Sequence, residues 1–201
     1  MSNPNSNYFV ATATIAAKLD YATKVAQRLS LTASNARALT LRAGQSAAGF
    51  RPLTDAIHRL SDITVSSSKK INTIAALLSK MSVEKYRADN AIKHFDAVYL
   101  NSKDSAYIAT LDEVYKRTKE RQKSLMTDYQ KKIQQLTQEL EAVEGELRSA
   151  AVLKTLCQVE ASQAGALYQD ALNNVAENVE SIASKIKKQI VFSRRQVATL
   201  L

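Results

Sequence analysis

Metal binding, nucleophilic attack and acid–base catalysis each need particular side chains brought together, and this chain offers few. His58 and His94 stand 36 positions apart, with no cysteines or carboxylates at ligand spacing beside them, so the pattern of a metal site is not met. Cys157 is the single cysteine. It cannot form an internal disulfide, which sets a reducing compartment as the expectation. It lies in the apolar stretch LKTLCQV, the setting of a small core residue rather than a nucleophile. Glu139, Glu141, Glu144 and Glu146 form an acidic run that reads as the wet side of a helix. No nucleophile stands beside a base, and no glycine-rich phosphate loop or paired carboxylate in an apolar setting is present. The reading is a non-enzyme with no catalytic residue, no metal and no cofactor.

The informative spacing is instead that of the chain breakers. Gly44, Gly49 and Pro52 fall within nine residues of a chain that has 4 glycines and 2 prolines in 201 positions. Glycine at a helix end supplies the left-handed backbone that other residues resist, and proline suits the first turn of the following helix. Two long helices are therefore expected to meet at residues 44–52 as the tip of a hairpin. Arg42 suits a helix C-terminus, where the dipole favours a cation. Phe50 is expected to cap the apolar seam at the tip or to meet a partner.

Composition bounds the elements that position this tip. The scarcity of Gly and Pro, the 45% hydrophobic content and the absence of Trp exclude most β and α/β architectures, and disorder with them. The net charge of +9 suggests a nucleic-acid partner, but its distribution argues against one. About five excess charges lie in residues 1–60 and about three in 61–103, while the rest nearly balances. No basic run exceeds two residues, and no aromatic stacking platform accompanies them. No segment approaches about 18 consecutive apolar residues, so no transmembrane span is expected and the protein reads as cytoplasmic.

Periodicity gives the elements. Residues 1–7 read as a polar tail. From Tyr8 to Ala43 the positions Ile15, Leu19, Ala22, Ala26, Leu29 and Ala33 recur at spacings of three and four, a narrow helical stripe. A second helix starts near Pro52 with Asp55 in its first turn. Its buried side is expected at Leu53, Ile57, Leu60, Ile63, Ile71, Ile74, Leu78 and Met81. It runs to about Leu100, where Asn101-Ser102-Lys103-Asp104 offers a turn and an N-cap. Met126, Tyr129, Ile133, Leu136, Leu140, Val143 and Leu147 then follow a heptad pattern of the coiled-coil kind, resumed by Leu172, Val175, Val179, Ile182 and Ile186. The phase slips between these runs. Gly145 and Gly165 are the rival turn sites, with Gly165 slightly favoured because it pairs short helices with short and long with long. The fold class is thus all-α: one elongated antiparallel four-helix bundle over 8–201, built from a hairpin 8–100 and a hairpin 104–201. At 1.5 Å per residue its helices would be about 50 to 80 Å long.

The stretch from about Lys24 to Ile71 resembles the signalling tip of bacterial methyl-accepting chemotaxis receptors. Asn35-Ala36, Arg42-Ala43-Gly44, Gly49-Phe50, Leu60 and Ile71 match that pattern without gaps, and Asp55 matches a residue of the return helix. The resemblance covers about a quarter of the chain. It implies a signalling bundle whose tip contacts an adaptor and a histidine kinase, with Asn35, Arg42, Gly44, Gly49 and Phe50 as the partner-binding residues. The chain departs from the pattern at Leu39, Ala56 and His58, where the family carries two glutamates and an arginine. It departs again at Gln27, Ser34 and Pro52, and it has no methylation-type site. Receptors need two chains to make four helices; here residues 104–201 stand in for the second hairpin, and a homo-oligomer of extended hairpins is the other arrangement. Three readings follow: a chemoreceptor-like signalling or scaffolding protein, a structural bundle unrelated to chemotaxis, or a basic bundle that binds nucleic acid or an anionic membrane through residues 18–103.

Overall fold

A computed structural model describes residues 4–102 and 107–200, with side chains from Val10 onward. Four α-helices make the fold: α1 (Pro4–Ala43), α2 (Phe50–Asn101), α3 (Asp112–Gln163) and α4 (Ala166–Ala198), with no strand among the described residues. Helix α1 thus begins inside the segment expected as a polar tail. Pro4 explains how, because the first helical position is where proline's missing N–H is not needed. Of the expected turn between α2 and α3, Lys103 and Asp104 lie outside the described residues. The chain re-enters helix through a 3₁₀ turn at Ile108–Leu111, and α3 starts at Asp112 with Asp112 and Glu113 in its first turn, where carboxylates suit the helix dipole.

Each helix packs on two neighbours, α1 and α3 each on α2 and α4, so the cross-section is a square. Every adjacent pair is antiparallel, as the contacts between distant residues require. Ser61 donates to the Ala26 carbonyl across α2 and α1 at 2.8 Å. Lys70 of α2 meets Glu139 of α3 at 3.7 Å, and Lys154 of α3 meets Glu180 of α4 at 2.5 Å. Ile15, Leu19, Ala22, Ala26, Leu29 and Ala33 are all buried, as are the α3 residues from Tyr129 to Leu147 and all five expected residues of α4. Of the expected core residues of α2, Leu53 and Met81 are only partly buried, and two further expected core residues are not buried. Ile63 and Met126 are exposed, because the buried face of α2 turns through Ser61, Thr64, Ser67 and Ser68 instead, while Met126 lies outside the bundled part of α3.

Small residues bring α1 and α2 close together. Ala22, Ala26, Ala33 and Ala36 on α1 face a seven-residue column on α2 of Thr54, Ser61, Ser68, Ala75 and Ser82, all buried. The buried hydroxyls of Thr54, Thr64 and Ser82 return hydrogen bonds to carbonyls three or four residues earlier, which satisfies them without a cross-helix partner. Ser68 Oγ and Ser193 Oγ are buried without a hydrogen-bond partner, a cost of about 1–3 kcal/mol each that the packing must offset. The acidic run of α3 is more than a wet surface. Glu139 reaches Lys70, while Glu141 and Glu144 both reach Arg194 of α4 at 3.7 and 2.5 Å, so it clips α3 to both neighbours.

Candidate functional site: the end of the bundle that carries two turns

The α1–α2 and α3–α4 connections lie side by side at one end. Gly44 follows the last residue of α1 with a φ of 63° and opens a 3₁₀ turn, Gly44–Ala47. The second connection is shorter. Ala164 and Gly165 separate α3 from α4, and Gly165 takes φ 83° and ψ 155°, which places the second reversal there and leaves Gly145 inside α3. Tyr168, in the first turn of α4, donates to the Arg42 carbonyl at 3.4 Å and so occupies one of the acceptors that the C-terminus of α1 leaves open.

Gly49 is needed for a different reason. Its φ of −65° is ordinary helical backbone, but a Cβ there would lie 1.9 Å from Glu160 Oε2 of α3. The glycine therefore lets a carboxylate lie against the N-terminus of α2, where the helix dipole favours a negative charge. Arg37 and Asp55 pair across the hairpin at 3.6 Å, one turn further down the shaft.

The sequence-predicted residues are only partly assembled here. Arg42, Gly44 and Gly49 sit at the end. Asn35 is exposed on α1, seven residues or about 10 Å down the shaft from Arg42. Phe50 corrects its reading as a contact residue: its side chain is fully buried, because it fills the space where four helices converge at the closed end. Sequence reasoning missed two residues that the end does present. Leu41 is 64% exposed and Leu167 is 84% exposed. Leu167 had a signal of sorts, as an apolar residue two positions after a turn glycine, but nothing along the chain tells that α4 starts beside Arg42.

The groups that could have carried chemistry are placed for packing. His58 faces α1, with Ser30 Oγ 3.3 Å from Nδ1 and Ser34 Oγ 3.4 Å from Nε2. His94 Nδ1 lies 2.7 Å from the Asn90 carbonyl one turn back on its own helix. Cys157 is buried in the core, and that burial pushes its thiol up to about 12, far from the range of a reactive thiolate. Among the described residues no group of three His, Cys, Asp or Glu side chains is placed to hold a metal ion. Arg37, Lys70, Lys154 and Arg194, four of the 28 Lys and Arg residues, pair with carboxylates of neighbouring helices.

The architecture defines the class, an all-α four-helix bundle, and among the described residues no helix is long and apolar enough to cross a membrane. Comparison with known protein families, with curated proteins and with solved structures found no match.

Proposed function

We propose that this protein is a non-catalytic signalling or scaffolding bundle that acts through protein contacts at its two-turn end, in the manner of a chemoreceptor tip. The observation that carries the reading is the pairing of two glycine turns at one end, which leaves the side chains of Leu41, Arg42 and Leu167 exposed there. A buried residue cannot serve as an anchor, so Phe50 leaves the proposed contact set and Leu167 enters it. The positions where the receptor pattern carries charge are Leu39 and Ala56 here. Both are partly buried against the core, so this end presents less acid than a receptor tip and its partner contacts rest on Arg42 and the two leucines.

Binding of the purified protein to a chemotaxis adaptor and histidine kinase at low salt tests the proposal. Arg42→Ala and Leu167→Ala are expected to weaken that binding by about 1–3 kcal/mol each, since contacts concentrate in a few anchors. Both side chains are exposed, so the fold should persist and the two losses report on the surface alone. A wild-type protein that binds neither partner would leave the structural-bundle reading in its place.

A further inference from the structure

Helices α2 and α3 have 52 residues each, whereas α1 has 40 and α4 has 33. The two long helices are neighbours, so they continue past the shorter pair as a two-helix arm at the end opposite the glycine turns. The arm has a seam but no core of its own. Ile92 is the last buried residue of α2, and α3 buries nothing described before Tyr129. Beyond Ile92 the seam is aromatic: Phe95 and Tyr99 lie 5.5 and 5.1 Å from the Tyr115 ring.

The two flanks of that seam differ in chemistry, and heptad phase assigns each residue to one of them. One flank is polar and closed on itself. Asp89 accepts from Gln122 at 2.6 Å, Asp112 accepts from Tyr99 at 2.5 Å, Asp96 accepts from Tyr115, and Lys119 lies over the Tyr115 ring. The opposite flank is apolar and open. Ala91 and Val98 stand seven residues apart on α2, and Tyr107 and Val114 seven apart on α3. Tyr107 is 79% exposed, Val114 51% and Val98 41%. Where the flank meets the bundle, Glu84 and Arg121 pair with each other at 3.2 Å, so an occupant need bring no net charge.

We infer that this apolar flank joins a second copy of the chain, two arms lying antiparallel about a two-fold axis to complete an intermolecular four-helix cross-section. Two helices are half of the unit that buries a helical core, and an identical arm supplies the missing half with matching length and matching neutrality. From Glu84 to Asn101 the arm is about 26 Å long, and two helices of about 10 Å diameter give it a face of roughly 500 Å². Pairing two such faces removes roughly 1,000 Å² from water, at the lower edge of specific interfaces, so the dimer forms and dissociates with concentration. Tyr115 lies between Phe95 and Tyr99 and Gln122 meets Asp89, so the middle of the arm falls near Ala91 of α2 and Thr118 of α3. The axis passes close to Ala91, while Val98 of the two copies stays roughly 16 Å apart along the arm.

Sedimentation of the full-length protein over a concentration series tests this. The wild type is expected to convert from monomer to dimer, and Val98→Lys or Val114→Lys to raise the dissociation constant more than tenfold with an unchanged helical spectrum. Met126→Lys, on the polar flank, serves as the control and should sediment as the wild type. In a Cys157→Ala background, mild oxidation should cross-link Ala91→Cys, beside the axis, to itself and leave Val98→Cys, displaced along the arm, without a cross-link. A wild type that stays monomeric at every concentration overturns the inference, whether the flank then takes another protein or none. So does a lysine variant that dimerises normally, or equal cross-linking at the two cysteine positions.

Discussion

Replacing the glycines one at a time by alanine should separate three physical roles by the sign and size of a single measurement. Gly165 has φ 83° and ψ 155°, a region populated almost only by glycine, so Gly165→Ala is expected to destabilise the bundle by about 1–3 kcal/mol. Gly44 has φ 63°, nearer the left-handed helical well, and Gly44→Ala should cost about 1–2 kcal/mol. A Cβ meets nothing within 4 Å at either position, so neither loss can come from a clash. Gly145 lies in the interior of α3 with equally open space around it. Gly145→Ala removes backbone freedom from the unfolded chain without strain and should stabilise by about 0.5–1 kcal/mol. At Gly49 the added Cβ displaces the end of Glu160, a flexible side chain that can swing aside, so Gly49→Ala should fall between the two groups.

Urea unfolding followed by circular dichroism reads this series. The surface exposed on unfolding is the same in all four variants, so the slopes should match the wild type and only the midpoints should move. A loss of stability in Gly145→Ala together with none in Gly165→Ala would show that the second reversal is misplaced. It would move the turn to Gly145 and refute the helix boundaries on which the two-turn end depends.

Two further outcomes follow from burial. Leu140 is fully buried whereas Gln138 is exposed, so thermal or chemical unfolding should show Leu140→Ala destabilised by about 2–5 kcal/mol and Gln138→Ala by less than about 0.5 kcal/mol; equal effects would mean that the phase of α3 is wrong. Burial raises the Cys157 thiol to about 12, against an ordinary value of 9.0. Its contribution to stability is therefore fully present below about pH 9 and declines as pH rises from there toward 12. A disulfide reagent at pH 8 should accordingly react with Cys157 in urea but not in the native protein.

The helices and most of their buried faces were legible because amphipathic spacing repeats faithfully over long runs, as from Tyr129 to Leu147. Legibility failed where burial departs from hydrophobicity. The α2 face from Ser61 to Ser68 is buried because small hydroxylated residues let α1 approach closely, so a reading that follows apolar residues drifts to Ile63 instead. Met126 fits the heptad perfectly and is still exposed, because a stripe says which face a helix would bury and not whether a neighbour extends far enough to cover it. Gly165 over Gly145 was a near tie in sequence, since the positive φ that distinguishes them is a property of the fold. The end of the bundle was legible only along one hairpin. That Tyr168 and Glu160 join it depends on helix lengths summed over the second half of the chain.

Phe50 shows why a hairpin tip and a partner surface need separate arguments. An ungapped pattern of Arg-Ala-Gly, a short turn and Gly-Phe is what tight helical reversal itself demands: a cation at the α1 C-terminus, a left-handed glycine, a glycine that admits a neighbouring side chain, and an apolar plug. Each of those roles is filled here by internal contacts, with Tyr168 on the Arg42 carbonyl, Glu160 over Gly49 and Phe50 in the core. Matching residues at a tip therefore argue for the turn before they argue for a partner. The partner reading rests on what the turn does not use, the outward side chains of Leu41, Arg42 and Leu167, and two of these three lie outside the residues that carry the resemblance. An adaptor that recognised this end would read a surface made jointly by both hairpins, so a fragment holding only α1 and α2 should not reproduce it.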